Sequence, residues 1–145
     1  MERLQEFIEH NTLLSLAFAV VLGIFIFTEI QRARRPYREV GPAEATRLIN
    51  DGALVLDLRD PAAFKKGHIA GAVNFPSDRL EGQLDEIRKR AKKAAGRPLV
   101  IYDEHGMGVS ASAGKLAGAE LGGEIVSLKG GVHAWKGENL PLKKG

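Results

Sequence analysis

The chain is 145 residues long, room for one globular domain and one additional element. Its formal charge is +3 at pH 7, with 27% charged and 6% aromatic residues; scattered Lys and Arg without interleaved aromatics do not make a nucleic-acid surface. It contains no cysteine, which excludes disulfides, thiolate catalysis and sulfur-ligated zinc, and leaves the redox compartment open.

Residues 1–11 read as a short polar tail, with Glu2, Glu6 and Glu9 against the single Arg3. No residue from Asn11 to Thr28 carries a charge. Leu13 to Phe27 is almost wholly apolar, and residues 12–30 approach the ~20 that a helix needs to cross the hydrocarbon core. A span must be helical, because lipid offers the backbone no partners. A soluble core helix would carry a polar stripe, and this run has none. A cleaved signal peptide would open on basic residues and close on small ones; here Glu29, Gln31, Arg32, Arg34 and Arg35 follow. The segment is therefore expected to be an uncleaved transmembrane anchor.

Arg32, Arg34, Arg35 and Arg38 follow the span, and only Arg3 precedes it. The positive-inside rule then places the tail outside and the C-terminal domain in the cytoplasm, at the inner membrane if the cell is bacterial. Ser15, Ala19 and Gly23 recur every four residues. They would share one face and could let this helix pair with another membrane helix or a second copy of the chain. Small residues are also common in membrane helices without that role.

Residues 31–41 read as a basic juxtamembrane linker with a brief strand at 37–40, and residues 42–145 as the globular domain. Pro42 suits a first helical position, and Ala43 to Asn50 continues a helix with Ala45, Leu48 and Ile49 inward. Asp51 and Gly52 end it. Ala53 to Leu58 is an apolar run bounded by turn residues, as in a strand buried on both faces. One helical turn is expected around Ala62 to Lys65, and a short strand at Ala72 to Phe75. Asp78 to Ala95 reads as one charged helix with Leu80, Leu84, Ile87, Ala91 and Ala94 on its apolar side. Pro98 to Tyr102 is a second buried strand, followed by a loop over Asp103 to Gly108.

A helix from Val109 to about Leu121 has an unusually small surface. Gly114, Gly118 and Gly122 repeat along it, and each interior glycine costs a helix about 1 kcal/mol against alanine. Close packing on the sheet would offset that cost; a flat face for another protein is the alternative. Glu124 to Leu128 is a last strand, and Val132 to Lys136 a short helix. The run Arg88, Lys89, Arg90, Lys92 and Lys93 reads as a solvated face that could also favour anionic lipid. Alternating strands and helices imply an α/β fold with a mainly parallel sheet covered on both faces.

Asp57-Leu58-Arg59, Phe64, and the run Gly67-His68-Ile69-Ala70-Gly71-Ala72-Val73-Asn74-Phe75-Pro76 resemble the first signature of the rhodanese-like domain. Gly130-Gly131-Val132-His133-Ala134-Trp135, with Asn139 to Leu142, is similar to its closing signature. The resemblance covers roughly residues 37–142. With the apolar helix ahead of it, the whole chain looks like the small, single-pass, YibN-type members. The resemblance implies a rhodanese-like five-stranded parallel sheet with helices on both faces, preceded by one N-terminal transmembrane helix. It also implies an active loop between the strand ending at Tyr102 and the helix starting near Val109. In active members a cysteine opens that loop, its amides curl around a persulfide, and loop arginines bind an anionic donor.

Here the loop is Asp103, Glu104, His105, Gly106, Met107 and Gly108. Asp103 holds the cysteine position, and Glu104 and Gly108 hold positions where the family often has arginine. No carboxylate can form a persulfide, so no catalytic residue, cofactor or metal site is expected. Asp103 is expected to satisfy the loop amides as an internal anion in a backbone nest; a partner-contact loop is the alternative. Asp57 and Arg59 read as a structural pair, His68 as a loop-fixing hydrogen bonder and Trp135 as a packing residue. Gly67, Gly71, Gly130 and Gly131 complete the structural signature, and His105 and His133 read as surface residues.

The expected function is a catalytically inactive rhodanese-like domain, tethered to the inner membrane and meeting a membrane protein or membrane-associated partner. The alternatives are a sulfur-relay component and a small-anion sensor using the degenerate loop.

Overall fold

The computed structural model describes residues 1–145. The chain divides into two units, Met1–Arg35 and Pro36–Gly145.

The first unit holds two helices, α1 (Glu2–His10) and α2 (Thr12–Ala33). α2 buries none of its residues, and its apolar part has a mean hydropathy of 2.4, so it is long and apolar enough to cross a membrane. The short N-terminal tail is itself helical over Glu2–His10. Nine residues are marginal as an isolated helix, and the alternation of Leu4, Phe7 and Ile8 with Glu2, Glu6 and Glu9 is too short to stand out in sequence. The break between the helices has a local cause. Asn11 leaves the helical region (φ −128°, ψ 43°). Its side-chain amide donates to the Phe7 carbonyl at 3.1 Å, and the Thr12 hydroxyl donates to the Glu9 carbonyl at 3.1 Å. The Thr12 hydroxyl takes up a carbonyl that the end of α1 would leave unpaired, and the Asn11 side chain adds to the bond that its own backbone amide makes to Phe7.

The second unit is a five-stranded parallel sheet. Its strands are β1 (Arg38–Val40), β2 (Leu54–Asp57), β3 (Val73–Asn74), β4 (Leu99–Tyr102) and β5 (Ile125–Leu128), in the order β1-β5-β4-β2-β3. The connecting helices are α3 (Pro42–Asn50), α4 (Pro61–Lys66), α5 (Leu84–Lys93), α6 (Val109–Gly118) and α7 (Gly131–Gly137). Strand side chains alternate between faces, so the sheet separates two cores. Leu56, Leu99, Ile101 and Ile125 pack with Leu80, Ile87 and Ala91 and with Val109, Ala113 and Leu116 of α6. Val55, Val100, Tyr102, Val126 and Leu128 pack with Ala45 of α3 and with Val132 and Trp135 of α7.

Two expectations need correction. The charged segment after Pro76 is not one helix. Ser77–Gln83 is a 3-10 stretch, and the α-helix begins only at Leu84. Glycine at position 82 disfavours the α form there, yet the 3-10 turns still bury Leu80. The glycines of α6 also do not pack on the sheet. Gly114 and Gly118 are exposed, and a Cβ built on either meets nothing within 4 Å. Ala113 and Leu116 face inward instead. Gly122 lies beyond α6 in a left-handed conformation (φ 82°), which is its reason for being glycine.

Candidate functional site

In parallel sheets, ligands are met at the carboxyl ends of strands where the strand order reverses. That point lies here between β2 and β4. The chain leaves β2 toward β3 on one side and leaves β4 toward β5 on the other. The segment after β2 carries Arg59, and the loop after β4 carries Asp103 to Gly108.

Beneath the site lies a buried polar cluster. Asp57 ends β2 and is fully buried. The Arg59 guanidinium grips it with both edges of the fork. Nη2 donates to Oδ2 at 2.6 Å, and Nε donates to Oδ1 at 3.0 Å. Arg59 Nη2 also donates to the Gly67 carbonyl at 2.7 Å. The Tyr102 hydroxyl donates to Asp57 Oδ2 at 2.7 Å and accepts the Ile69 amide at 3.1 Å. The Asn74 side-chain amide donates to the Asp57 and Arg59 carbonyls at 3.1 and 2.9 Å. Asp57 and Arg59 therefore form the expected structural pair.

Tyr102 was not legible as a member of this cluster. The signal available was its place in an otherwise aliphatic strand, since a buried tyrosine hydroxyl needs a polar partner. Burial pushes its phenol well above the ordinary tyrosine pKa, and the adjoining Asp57 carboxylate pushes it further. For Arg59, burial pulls the pKa down, but hydrogen bonding and charge from Asp57 outweigh it and the net direction is up. Arg59 stays cationic.

The loop itself is closed on its own side chain. Asp103 Oδ1 accepts the Gly106 amide, and Oδ2 accepts the Gly108 amide at 2.9 Å. The carboxylate thus occupies the backbone nest that such loops form for an anion. Gly106 turns through the left-handed region (φ 80°), and a Cβ there would come within 2.8 Å of the Gly130 nitrogen. The start of α7 completes the clamp. Val132 N donates to the Asp103 carbonyl at 2.9 Å, and His133 N donates to the Glu104 carbonyl at 3.0 Å. Gly130 and Gly131 are both left-handed, and Gly131 lies against the Asp103 carbonyl, leaving no room for a side chain.

The three polar side chains that open the loop diverge. Asp103 turns into the nest and Glu104 turns to Arg59, with Oε2 at 3.3 Å from Nη1. The His105 ring lies beside that of His133, their centroids 5.2 Å apart. No three His, Asp or Glu side chains are grouped to hold a metal ion. The structure therefore brings together Asp57, Arg59 and Glu104 and connects the 103–108 loop to Gly130 and Gly131. His68 stands apart as a loop fixer. Its Nδ1 pairs with the Phe64 carbonyl at 2.9 Å, its ring stacks on Phe64, and its backbone bridges to Lys143. Gly71 is left-handed (φ 83°), and Trp135 packs in the core with Nε1 donating to the Pro141 carbonyl at 3.0 Å.

Residues 41–138 match the family model of the rhodanese-like domain. The chain belongs to the rhodanese-like domain family. Within it, the chain is 35% identical over 147 residues to the uncharacterized protein YibN of Escherichia coli (strain K12), covering 100% of this chain and 99% of that protein. It is 31% identical over 100 residues to the thiosulfate sulfurtransferase GlpE of Ectopseudomonas mendocina (strain ymp), covering 69% of this chain and 85% of that enzyme. Among solved structures, a rhodanese-related protein from Thermoplasma volcanium superposes with a TM-score of 0.59 at 28% identity, over 74% of this chain and 98% of that one. The rhodanese-like loop of this chain thus carries a carboxylate at its first position and no cysteine anywhere.

Proposed function

We propose that this chain is a catalytically silent rhodanese-like domain held at the inner membrane by α2, where it works by contact with a membrane protein or a membrane-associated partner. The observation that carries this reading is Asp103. A carboxylate stands at the nucleophile position, and its two oxygens accept the Gly106 and Gly108 amides. Two of the loop amides that would stabilise a persulfide or a small anion are thereby already taken. Glu104 adds a second negative charge where an anionic sulfur donor would approach.

The membrane part of the reading is supported by the length and apolarity of α2 and by the arginines that follow it. Their excess on the C-terminal side favours a cytoplasmic domain and an external N-terminus. Tethering raises the effective concentration at which the domain meets a partner in the same membrane. The Ser15, Ala19 and Gly23 face of α2 is the candidate helix-pairing surface.

The test is co-purification of the full-length chain from native membranes in mild detergent, read by mass spectrometry, beside a variant with Ser15, Ala19 and Gly23 changed to Leu. A stoichiometric partner lost in the variant assigns the contact to α2. A partner retained assigns it to the domain. Absence of any partner in both samples counts against the reading, as does thiocyanate formation from thiosulfate and cyanide by the purified chain.

A further inference from the structure

The family match begins at residue 41 and leaves α1 without a role. At 100° per residue, Leu4, Phe7 and Ile8 fall in one sector of α1, and Glu2, Glu6 and Glu9 fall in the opposite one. Leu4, Phe7 and Ile8 are 60%, 53% and 46% exposed. They join Leu14, Ser15 and Phe18 of α2 in lining one largely apolar concavity of about 550 Å³ at the elbow between the two helices.

The thickness of a bilayer decides where this surface can lie. The 22 residues of α2 rise ~33 Å at ~1.5 Å each, which already matches a hydrocarbon core of about 30 Å. α1 therefore has no core left to cross. Drawing α1 into the core would also carry Glu6 and Glu9 into lipid at high cost. His10, Asn11 and Thr12 mark a polar boundary, and the chain turns there.

We infer that α1 lies in the headgroup layer on the N-terminal side of α2, with Leu4, Phe7 and Ile8 bedded in the acyl boundary and the glutamates turned to water. This rests on the reading of α2 as a membrane span. A lipid surface is the occupant that the continuity of the apolar concavity favours, because Leu14 and Phe18 carry the same surface into α2. The charge agrees with the proposed orientation. Anionic lipid on the cytoplasmic side would repel three glutamates, whereas interfacial helices that bind such lipid carry Lys and Arg. Two helices set at an angle, one across the bilayer and one along it, fix the depth and rotation of α2. Ala19 and Gly23, beyond the concavity, are then presented in one direction.

The absence of native cysteine allows single labels on the full chain. Leu4→Cys, Ile8→Cys, Gln5→Cys, Glu9→Cys and Val21→Cys would each carry an environment-sensitive fluorophore, with the chain reconstituted in phosphatidylcholine–phosphatidylglycerol vesicles. Quenching would be read with aqueous iodide and with shallow and deep spin-labelled lipids. Iodide quenching is expected to be roughly threefold lower at positions 4 and 8 than at 5 and 9, with positions 4 and 8 quenched by the shallow lipid. Equal iodide access at all four positions overturns the inference, since α1 then projects into water. Deep quenching at all four overturns it, since α1 then extends the span. Protection at 4 and 8 from both quenchers overturns it in favour of a protein or second copy as the cover. Failure of the deep lipid to quench Val21→Cys would bring down the span reading itself, which separates that failure from the others.

Discussion

The Tyr102 hydroxyl donates to Asp57 Oδ2 at 2.7 Å, tying the last residue of β4 to the last residue of β2 directly beneath the degenerate loop. Tyr102→Phe removes that donor and leaves the Ile69 amide without its acceptor, a loss of about 1–3 kcal/mol in unfolding free energy. Burial and the Asp57 carboxylate raise the phenol pKa in the folded chain. The folded state therefore holds this proton more tightly than the unfolded chain does. The stability contributed by the neutral phenol is complete below about pH 10, where the unfolded phenol ionises, and is lost as pH rises from there toward the folded value. Melting temperature measured from pH 8 to 11 is expected to fall more steeply for the native chain than for Tyr102→Phe. Parallel curves would show that Tyr102 does not set the alkaline slope.

Arg59 is the counter-charge of a carboxylate that is wholly out of solvent. Arg59→Ala leaves Asp57 buried and unpaired and is expected to cost about 3–5 kcal/mol. Arg59→Lys keeps the charge but not the fork that spans both Asp57 oxygens and the Gly67 carbonyl. Urea titration is expected to place the lysine variant nearer to alanine than to the native chain. A lysine variant of native stability would mean that charge alone is required.

Two glycines should respond to alanine in opposite directions. Gly106 is left-handed and its Cβ would meet the Gly130 backbone, so Gly106→Ala is expected to destabilise by about 1–3 kcal/mol. Gly114 is helical and exposed with open space around it, so Gly114→Ala is expected to stabilise by about 0.5–1 kcal/mol. Calorimetric melting of the two variants checks both signs. A destabilised Gly114→Ala would point to a contact of α6 that the isolated chain does not contain.

Asp103→Cys returns a thiol to the head of the loop and frees the Gly106 and Gly108 amides. Glu104 shares Arg59 with Asp57, so the three groups keep one net negative charge near the loop, and repulsion of a doubly negative donor is strong where water is partly excluded. No thiocyanate is expected from thiosulfate and cyanide in this single variant. Measurable turnover would show that Glu104 is no barrier and that the nucleophile alone was missing.

Most of the second unit was legible because its signals are strong. Val55, Leu56, Leu99, Val100 and Ile101 form apolar runs that only a doubly covered sheet accommodates. The apolar stripe of the segment after Pro76 also identified its buried side, with Leu80, Ile87 and Ala91 inward, although the helix type changes at Leu84. At the site, the capture of the Gly106 and Gly108 amides by Asp103 follows from residue identity and loop length. The link from Tyr102 to Asp57 does not, because it depends on the register of two strands 45 positions apart. α1 was missed for a different reason. Nine residues carry too few turns for periodicity to separate a helix from a charged tail. The glycines of α6 misled because their spacing matches a packing motif, while the neighbouring Ala113 and Leu116 take the inward positions.

The sheet order has a consequence for biosynthesis. β1 pairs only with β5, so Val40 finds its ladder partner at Leu128, near the end of the domain. At synthesis rates of about 5–20 residues per second, the edge strand waits on the order of 5–20 s after it is made. During that interval β2, β3 and β4 can assemble among themselves, while the residues linking them to the apolar N-terminal helix stay unpaired. The strand nearest that helix in sequence is therefore the last part of the sheet to close.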